Sequence, residues 1–307
     1  MRGGAPLPAL LIAAAAVTVW AVPGSAAVAP AQRPPARAAA PTATSCDPTA
    51  SLRPSGPPRV IPGSFMARIR ARGYLIAGVD QSTYHFGYLN PRNGKIEGFD
   101  IDMVRAVAAA IFGNPDKVQF KAISDAQRIP DVRSGAVDIV AHTMTINCER
   151  LQQVDFSTVY FDTGQRVLVE SNSPARSLAD LGGKRVCATK GSTSIANIRA
   201  APSHPVPVPV PFWTDCLVLL QQGDVAAIST DDSILDGLAA QDPWTKIVGP
   251  RFTTEPYGLA ISKQHPDFVR FVNAVLQRLR ANGQWAASYA HWVGTPVPAP
   301  PPARYQG

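Results

Sequence analysis

No run of this sequence is long and apolar enough to cross a bilayer comfortably. The best candidate, Ala9–Val22, falls short of the about 20 residues that a helical span requires. A basic run interleaved with aromatics is also missing. The formal net charge of +7 over 307 residues is moderate, so nucleic acid is not expected as a partner. Cysteine is scarce. The four present form no CxxC and stand near no His pair, which argues against zinc. There is no GxxxxGK loop, no HExxH, no nucleophile elbow and no obvious acid/base pair apart from the acids assigned to a ligand below. A non-enzymatic protein without metal or cofactor is therefore expected.

What is present suggests export. Met1–Ala27 reads as a secretory signal: Arg2 gives the positive start, Ala9–Val22 the apolar stretch, and Ser25-Ala26-Ala27 the small residues for cleavage. An uncleaved N-terminal anchor is the alternative. Val28–Ala43 is mostly Ala, Pro, Arg and Gln without hydrophobic period, the composition of a disordered linker. The Pro-rich tail, Thr295–Pro302, is expected to be extended and loosely held. An even cysteine count behind a signal implies disulfides, and four thiols allow three pairings.

From Tyr74 onward, strand and helix patterns alternate. Tyr74–Val79 reads as a strand, Asp80–Tyr88 as a loop, and Asn93-Gly94 as a turn. A helix starts at Asp100 with Ile101, Val104, Val107, Ala108 and Ile111 on one face. Val118–Ile123 is the next strand, followed by a short helix over Asp125–Ser134 interrupted by Pro130, then a strand through Asp138. Lys184–Ala188 and Asp224–Ser229 read as further strands, Ile195–Arg199 and Asp215–Gln222 as helices, and Ala200–Pro211 as a Pro-rich surface connection. Asp267–Arg280 is an amphipathic helix whose stripe continues through Trp285, Tyr289 and Trp292. The alternation indicates an α/β fold with a parallel-type sheet, and ligands of such sheets sit beyond the carboxyl ends of the strands. That rim holds Asp80, Tyr84, Arg128 and Arg150.

The most informative stretch is Val137–Arg150, VDIVAHTMTINCER. A β-branched run stops at a hydroxyl-rich turn and is followed by one arginine. Backbone amides, two hydroxyls and a planar guanidinium suit a small carboxylate. A surface arginine at a helix start is the plainer alternative. Thr143, Thr145 and Arg150, then Asp155-Phe156-Ser157 and Tyr160, together with Gly98-Phe99-Asp100-Ile101-Asp102, Lys190-Gly191-Ser192-Thr193-Ser194 and Ser229-Thr230-Asp231-Asp232, resemble the polar-amino-acid family of bacterial extracellular solute-binding proteins. These are the soluble receptors of ABC importers. The resemblance spans roughly Ile69 to Val293 and is nearest in flavour to the glutamate/aspartate/glutamine-binding branch.

The resemblance implies a two-lobed type II periplasmic-binding-protein fold, with the cleft between lobes joined by two hinge strands. The expected partition is signal 1–27, linker and leading arm 28–66, first part of lobe 1 67–162, lobe 2 163–250, second part of lobe 1 251–294 and tail 295–307. Cys187 and Cys216 both fall in lobe 2 and are expected to pair, leaving Cys46 for Cys148. Many relatives carry a lipidated Cys just after the signal; none stands there here, so an unlipidated exported protein, periplasmic or at the cell envelope, is expected.

The family implies that Arg150 and the Ser192–Thr193 helix start hold an α-carboxylate, with Thr143 and Thr145 assisting. Asp231, with Asp232 as fallback, holds the α-ammonium. Tyr84 is an aromatic wall or a packed loop residue. Arg128 or Arg166 would favour an acidic side chain; His142 or Gln165 would suit an amide. The plainer alternatives are a solvated helix charge for Arg128 and a structural role beside the strand end for His142. Glutamate, aspartate, glutamine and asparagine all remain open. The expected partner is an ABC permease, or alternatively a membrane signalling receptor, with the protein itself monomeric. A lyase or dehydratase on the same scaffold is the remaining alternative.

Overall fold

Strand Leu75–Val79 is apolar and almost wholly buried, because it is a central strand covered on both faces. It pairs in parallel with Val118–Ala122 on one side and Ile139–Ala141 on the other, with Ala77 opposite both Phe120 and Ile139. Ala260–Ile261 and Asp155–Phe156 complete a five-stranded sheet, and Ala260–Ile261 runs antiparallel to its neighbours. The computed structural model describes residues 15–21 and 46–306. The expected signal therefore lies mostly, and the expected linker over Val28–Ala43 wholly, outside the described residues. No helix among the described residues is long and apolar enough to cross a membrane.

Helices Phe65–Arg72, Phe99–Phe112, Pro266–Ala281 and Gln284–Trp292 cover one face of this sheet around a core that includes Leu75, Val104, Phe268 and Trp285. A smaller cluster, with Val132, Val140 and Phe156, fills the other face under helix Arg128–Ser134. A second five-stranded sheet has the order Val206–Val210, Arg185–Thr189, Ala227–Asp231, Gln165–Glu170, Thr245–Val248. Its first three strands are parallel and Gln165–Glu170 is antiparallel to both neighbours. A separate core built on Val186, Leu217, Ile228 and Leu235 belongs to it. These are the two lobes. Strands Phe161–Thr163 and Glu255–Tyr257 pair antiparallel, Thr163 opposite Glu255, and carry the chain between them.

Cys187 is bonded to Cys216 inside lobe 2, and Cys46 to Cys148 in lobe 1. By loop length alone, the first crosslink stabilises by about 3–4 kcal/mol.

Four local expectations are corrected. Val206–Val210 is a strand, although its sequence is VPVPV. It lies at the sheet edge, where Val206 N donates to Lys184 O and Lys190 N to Val210 O. Pro207 and Pro209 alternate with the bonding valines, so their missing N–H groups leave no ladder position empty. Pro130 does not interrupt its helix; it occupies the first turn of Arg128–Ser134, where the N–H would have no intrahelical acceptor. Trp285, Tyr289 and Trp292 belong to a separate helix, Gln284–Trp292, which follows a break at Asn282 and Gly283. The tail is not loose. Arg304–Tyr305 pairs with Ala50–Ser51, Gln306 N donates to Ser51 O, and Val297 packs on the lobe 1 core.

Candidate functional site

The buried strand Ile139–Ala141 delivers the chain to a turn that points at lobe 2. Thr143 has φ +43°, a left-handed conformation that is costly for a β-branched residue. It is held there by Asp100, whose Oδ2 accepts the Thr143 N–H at 2.8 Å while Oδ1 accepts the Tyr160 hydroxyl at 2.5 Å. Burial pushes the Asp100 carboxyl up to about 6. Thr145 forms a β-bridge with Tyr257. Asn147 then caps the short helix Cys148–Leu151 by accepting from Arg150 N at 2.8 Å.

That cap sends the Arg150 side chain back toward the turn. Its Nη1 donates to Thr145 O at 2.6 Å, and its Nη2 reaches Gly191 O of lobe 2 at 3.2 Å. Arg150 is only 7% exposed, and among the described residues no carboxylate forms an ion pair with it. Burial, reinforced by Arg128, lowers its guanidinium to about 10, against the pull of Asp125, Glu255 and Asp231.

Lobe 2 supplies the facing wall. After strand Arg185–Thr189, Gly191 turns the chain with φ +90°. A Cβ there would stand 2.8 Å from Ala126 Cα of lobe 1, so only glycine permits this approach. Ser192 caps helix Thr193–Ala200, its Oγ accepting from Ile195 N at 3.1 Å. Thr193 Oγ1 lies 3.5 Å from Thr145 Oγ1 and donates to Glu255 Oε2 at 2.9 Å.

At the end of strand Ala227–Asp231, Asp231 Oδ2 accepts from Tyr257 Oη at 2.6 Å, while Oδ1 is buried with no partner. Burial first, then the neighbouring Glu255 carboxylate, pushes Asp231 up to about 8. Asp232 faces away, gripped by Arg251 at 2.5 and 3.0 Å and by Thr163 Oγ1 at 2.6 Å. The lobes are shut on one another: the crevice they enclose measures about 10 Å³, room for roughly one water. Anything as large as an amino acid requires them to part.

Residues 75–295 match the family described as bacterial extracellular solute-binding proteins, family 3. The chain belongs to that family. The solute-binding protein is 37% identical over 229 residues to the ABC transporter glutamine-binding protein of Bacillus subtilis (strain 168), covering 74% of this chain and 84% of the relative. It is 28% identical over 245 residues to an L-glutamate/L-aspartate-binding protein of Pseudomonas aeruginosa, covering 76% and 81%. Among solved structures, an ancestral arginine-binding protein bound to glutamine is similar at TM-score 0.69 and 35% identity, covering 73% of this chain and 99% of that one. A mutant of ArgBP from T. maritima is similar at TM-score 0.71 and 28% identity, covering 75% and 99%.

In this solute-binding protein, the residues singled out by sequence divide into two groups. Thr143, Thr145, Arg128 and Arg150 meet Ser192, Thr193 and Asp231 around the crevice. Asp80, Tyr84 and His142 do not line it. Asp80 folds back on its own loop, accepting from Gln81 N, Ser82 N, Ser82 Oγ and Thr83 Oγ1. His142 turns into lobe 1, its Nε2 donating to Ile123 O at 2.9 Å. Tyr84 packs against His85 and Tyr88 beside a separate surface groove.

The expected selectivity roles change accordingly. Arg128 lines the crevice but is engaged by Asp125 at 2.8 Å and by the carbonyls of Asp125, His142 and Gly191. Arg166 instead donates to Gly249 O at 2.6 Å, and Gln165 is satisfied inside lobe 2 by Ser229, Ser194 and Asn197.

Sequence reasoning missed Asp125, Trp213, Glu255 and Tyr257. Asp125 could have been found from its spacing of three before Arg128. Glu255 and Tyr257 lie on a three-residue crossing strand without readable periodicity. Trp213 opens helix Trp213–Gln221 and reads as core.

Proposed function

We propose that this protein captures a polar amino acid, one of glutamate, aspartate, glutamine or asparagine, outside the cytoplasm and delivers it to an ABC importer. The observation that carries this reading is the pairing of opposites across one crevice. A buried guanidinium without an acid partner stands on lobe 1, and a buried carboxylate with a free oxygen stands on lobe 2. Charges buried in this way cost free energy unless compensated, which is why Asp231 holds its proton up to about pH 8 in the closed crevice; the zwitterionic end of an amino acid compensates both groups in their charged forms. The α-carboxylate goes to Arg150, with Thr145 and the Ser192–Thr193 helix start assisting; the α-ammonium goes to Asp231.

Charge-assisted hydrogen bonds contribute roughly 1.5–3 kcal/mol each, and a micromolar complex needs about 8 kcal/mol net. A few such contacts with modest apolar burial suffice after the costs of binding are subtracted. Since the two ends of the zwitterion are held by different lobes, the ligand favours the closed arrangement, and the membrane partner reads closure. The lobe boundaries near 163 and 250 and the exported state belong to the same proposal. Delivery to an importer is favoured over sensing by the transporter role stated for the Bacillus subtilis relative.

Calorimetric titration of wild type and Arg150→Ala tests the site. The variant should fold yet lose at least about tenfold in affinity, roughly 1.4 kcal/mol. Unchanged affinity refutes the assignment. Asp231→Asn should also weaken binding, whereas Asp232→Asn should leave it intact.

A further inference from the structure

Resting on that reading, the crevice's remaining groups discriminate between ligand side chains. Once Arg150 has the α-carboxylate and Asp231 the α-ammonium, the wall holds one other cation and one other anion, Arg128 and Asp125. They already pair with each other at 2.8 Å. Arg128 also gives its Nε, Nη1 and Nη2 to three backbone carbonyls. No uncommitted positive group on this wall is left for a second ligand carboxylate. Glu255, behind Thr193 and 3% exposed, adds further negative charge. An acidic side chain would bring an uncompensated charge into a buried space, which is expensive.

The uncommitted hydrogen-bonding atoms complete the picture. Trp213 Nε1 is buried with no acceptor, and Thr143 Oγ1 is buried with no partner. Asp125 Oδ1 has its ion pair to Arg128 and faces His142 Nδ1 at 3.4 Å, yet makes no aligned hydrogen bond. All three residues line the crevice, as does the apolar Ile234. The unmet set is thus one obligate donor, one obligate acceptor and one hydroxyl able to act as either. A carboxylate offers acceptors only. A carboxamide offers an acceptor oxygen and a donor nitrogen in one plane.

We propose that Trp213, Asp125 and Thr143 form a carboxamide-reading subsite that selects glutamine or asparagine over glutamate or aspartate. The indole N–H donates to the amide oxygen. The amide nitrogen donates to Asp125 Oδ1 or Thr143 Oγ1, and Ile234 contacts the ligand's methylene carbons. Groups built to hydrogen-bond a ligand reject analogues that leave them unpaired.

The test is calorimetric titration of wild type and Trp213→Phe with glutamine, asparagine, glutamate, aspartate, arginine and 2-aminobutyrate. Wild type should take at least one of the two amides tenfold or more tighter than either acid. Trp213→Phe retains an aromatic ring and loses only the donor. It should weaken the preferred amide by about fivefold or more and leave 2-aminobutyrate, which has no side-chain acceptor, within twofold of its wild-type value. Acids bound as tightly as amides, arginine bound most tightly, or an equal loss for every ligand would each overturn the subsite while sparing amino-acid capture. If no amino acid binds wild type at all, the proposed function itself falls, and the subsite with it.

Discussion

The two walls of the crevice are built differently. The lobe 1 wall rests on a buried polar network: Asp80, Asp100, Asp125, Arg128, His142 and Arg150 are all nearly inaccessible. Their hydrogen bonds hold the Thr143–Arg150 turn, including one backbone conformation that would not persist alone. The lobe 2 wall is lighter. It consists of a helix start, a few hydroxyls, one acid, Trp213 and Ile234, on a lobe with a large apolar core and a small buried hydroxyl and amide network around Gln165. Lobe 1 is therefore the preorganised half; under the proposed function it would fix ligand orientation, and lobe 2 would bring the contacts that reward closure.

The contrast can be broken most severely at Asp100. Asp100→Ala removes the acceptor of both the Thr143 N–H and the Tyr160 hydroxyl. Leaving two buried donors unpaired should cost about 2–5 kcal/mol of stability, read as a lowered denaturation midpoint, with loss of binding beyond what the unfolded fraction explains. An equally placed loss in lobe 2, Ser194→Ala, unpairs only the Thr230 hydroxyl and should cost about 1–2 kcal/mol.

Closure itself can be separated from folding at Gly237. This residue lies inside helix Asp232–Ala239, and a Cβ there would stand 2.7 Å from Tyr84 O of lobe 1. Alanine in a helix interior is worth up to about 1 kcal/mol over glycine, a gain that the close approach to Tyr84 O offsets when the lobes are shut, so Gly237→Ala should stay close to the wild type in ligand-free melting temperature. The same substitution should hold the lobes apart, lowering affinity by about tenfold. Small-angle scattering with saturating ligand should show a larger radius than wild type. Unchanged affinity would mean that the Tyr84 loop yields.

The remaining handle is pH. Asp231 is raised from 3.8 to about 8 and Asp100 from 3.8 to about 6. Between about pH 4 and 8, the folded ligand-free protein retains protons that the unfolded chain has released, so its stability falls as pH rises through that window. Asp231→Asn removes the larger share. Its melting temperature should equal that of wild type near pH 4 and rise progressively above it as pH climbs toward 8. A gap that stays constant with pH would show that Asp231 ionises freely in the closed form.

Much of this architecture is legible in the sequence because strong local patterns dictate it. The buried run at Leu75–Val79 and the helical face from Ile101 to Ile111 admit few alternatives. The edge strand at Val206–Val210 is hidden because proline normally ends a strand. Nothing local reveals that every second residue faces the open edge. Arg150 and Asp231 stand out because their surrounding motifs resemble those of a known family. Asp80 and His142 are misplaced for a different reason. Strand order brings their backbones to the rim, but which way a side chain turns is decided by neighbours distant in sequence. Glu255 is equally unreadable, since its partners Thr193 and Asn197 lie about sixty residues away.

The pairing of Ala50–Ser51 with Arg304–Tyr305 and the Cys46–Cys148 crosslink place both ends of the described body on lobe 1. A cargo, surface or fluorophore attached through either end would load that lobe alone and leave the other free to swing. Tension applied at Cys46 would pass through a covalent bond to a residue two positions from Arg150. Immobilisation by the amino-terminal side thus pulls directly on the turn that carries Arg150, whereas attachment by the carboxyl-terminal side is borne by a strand pair instead.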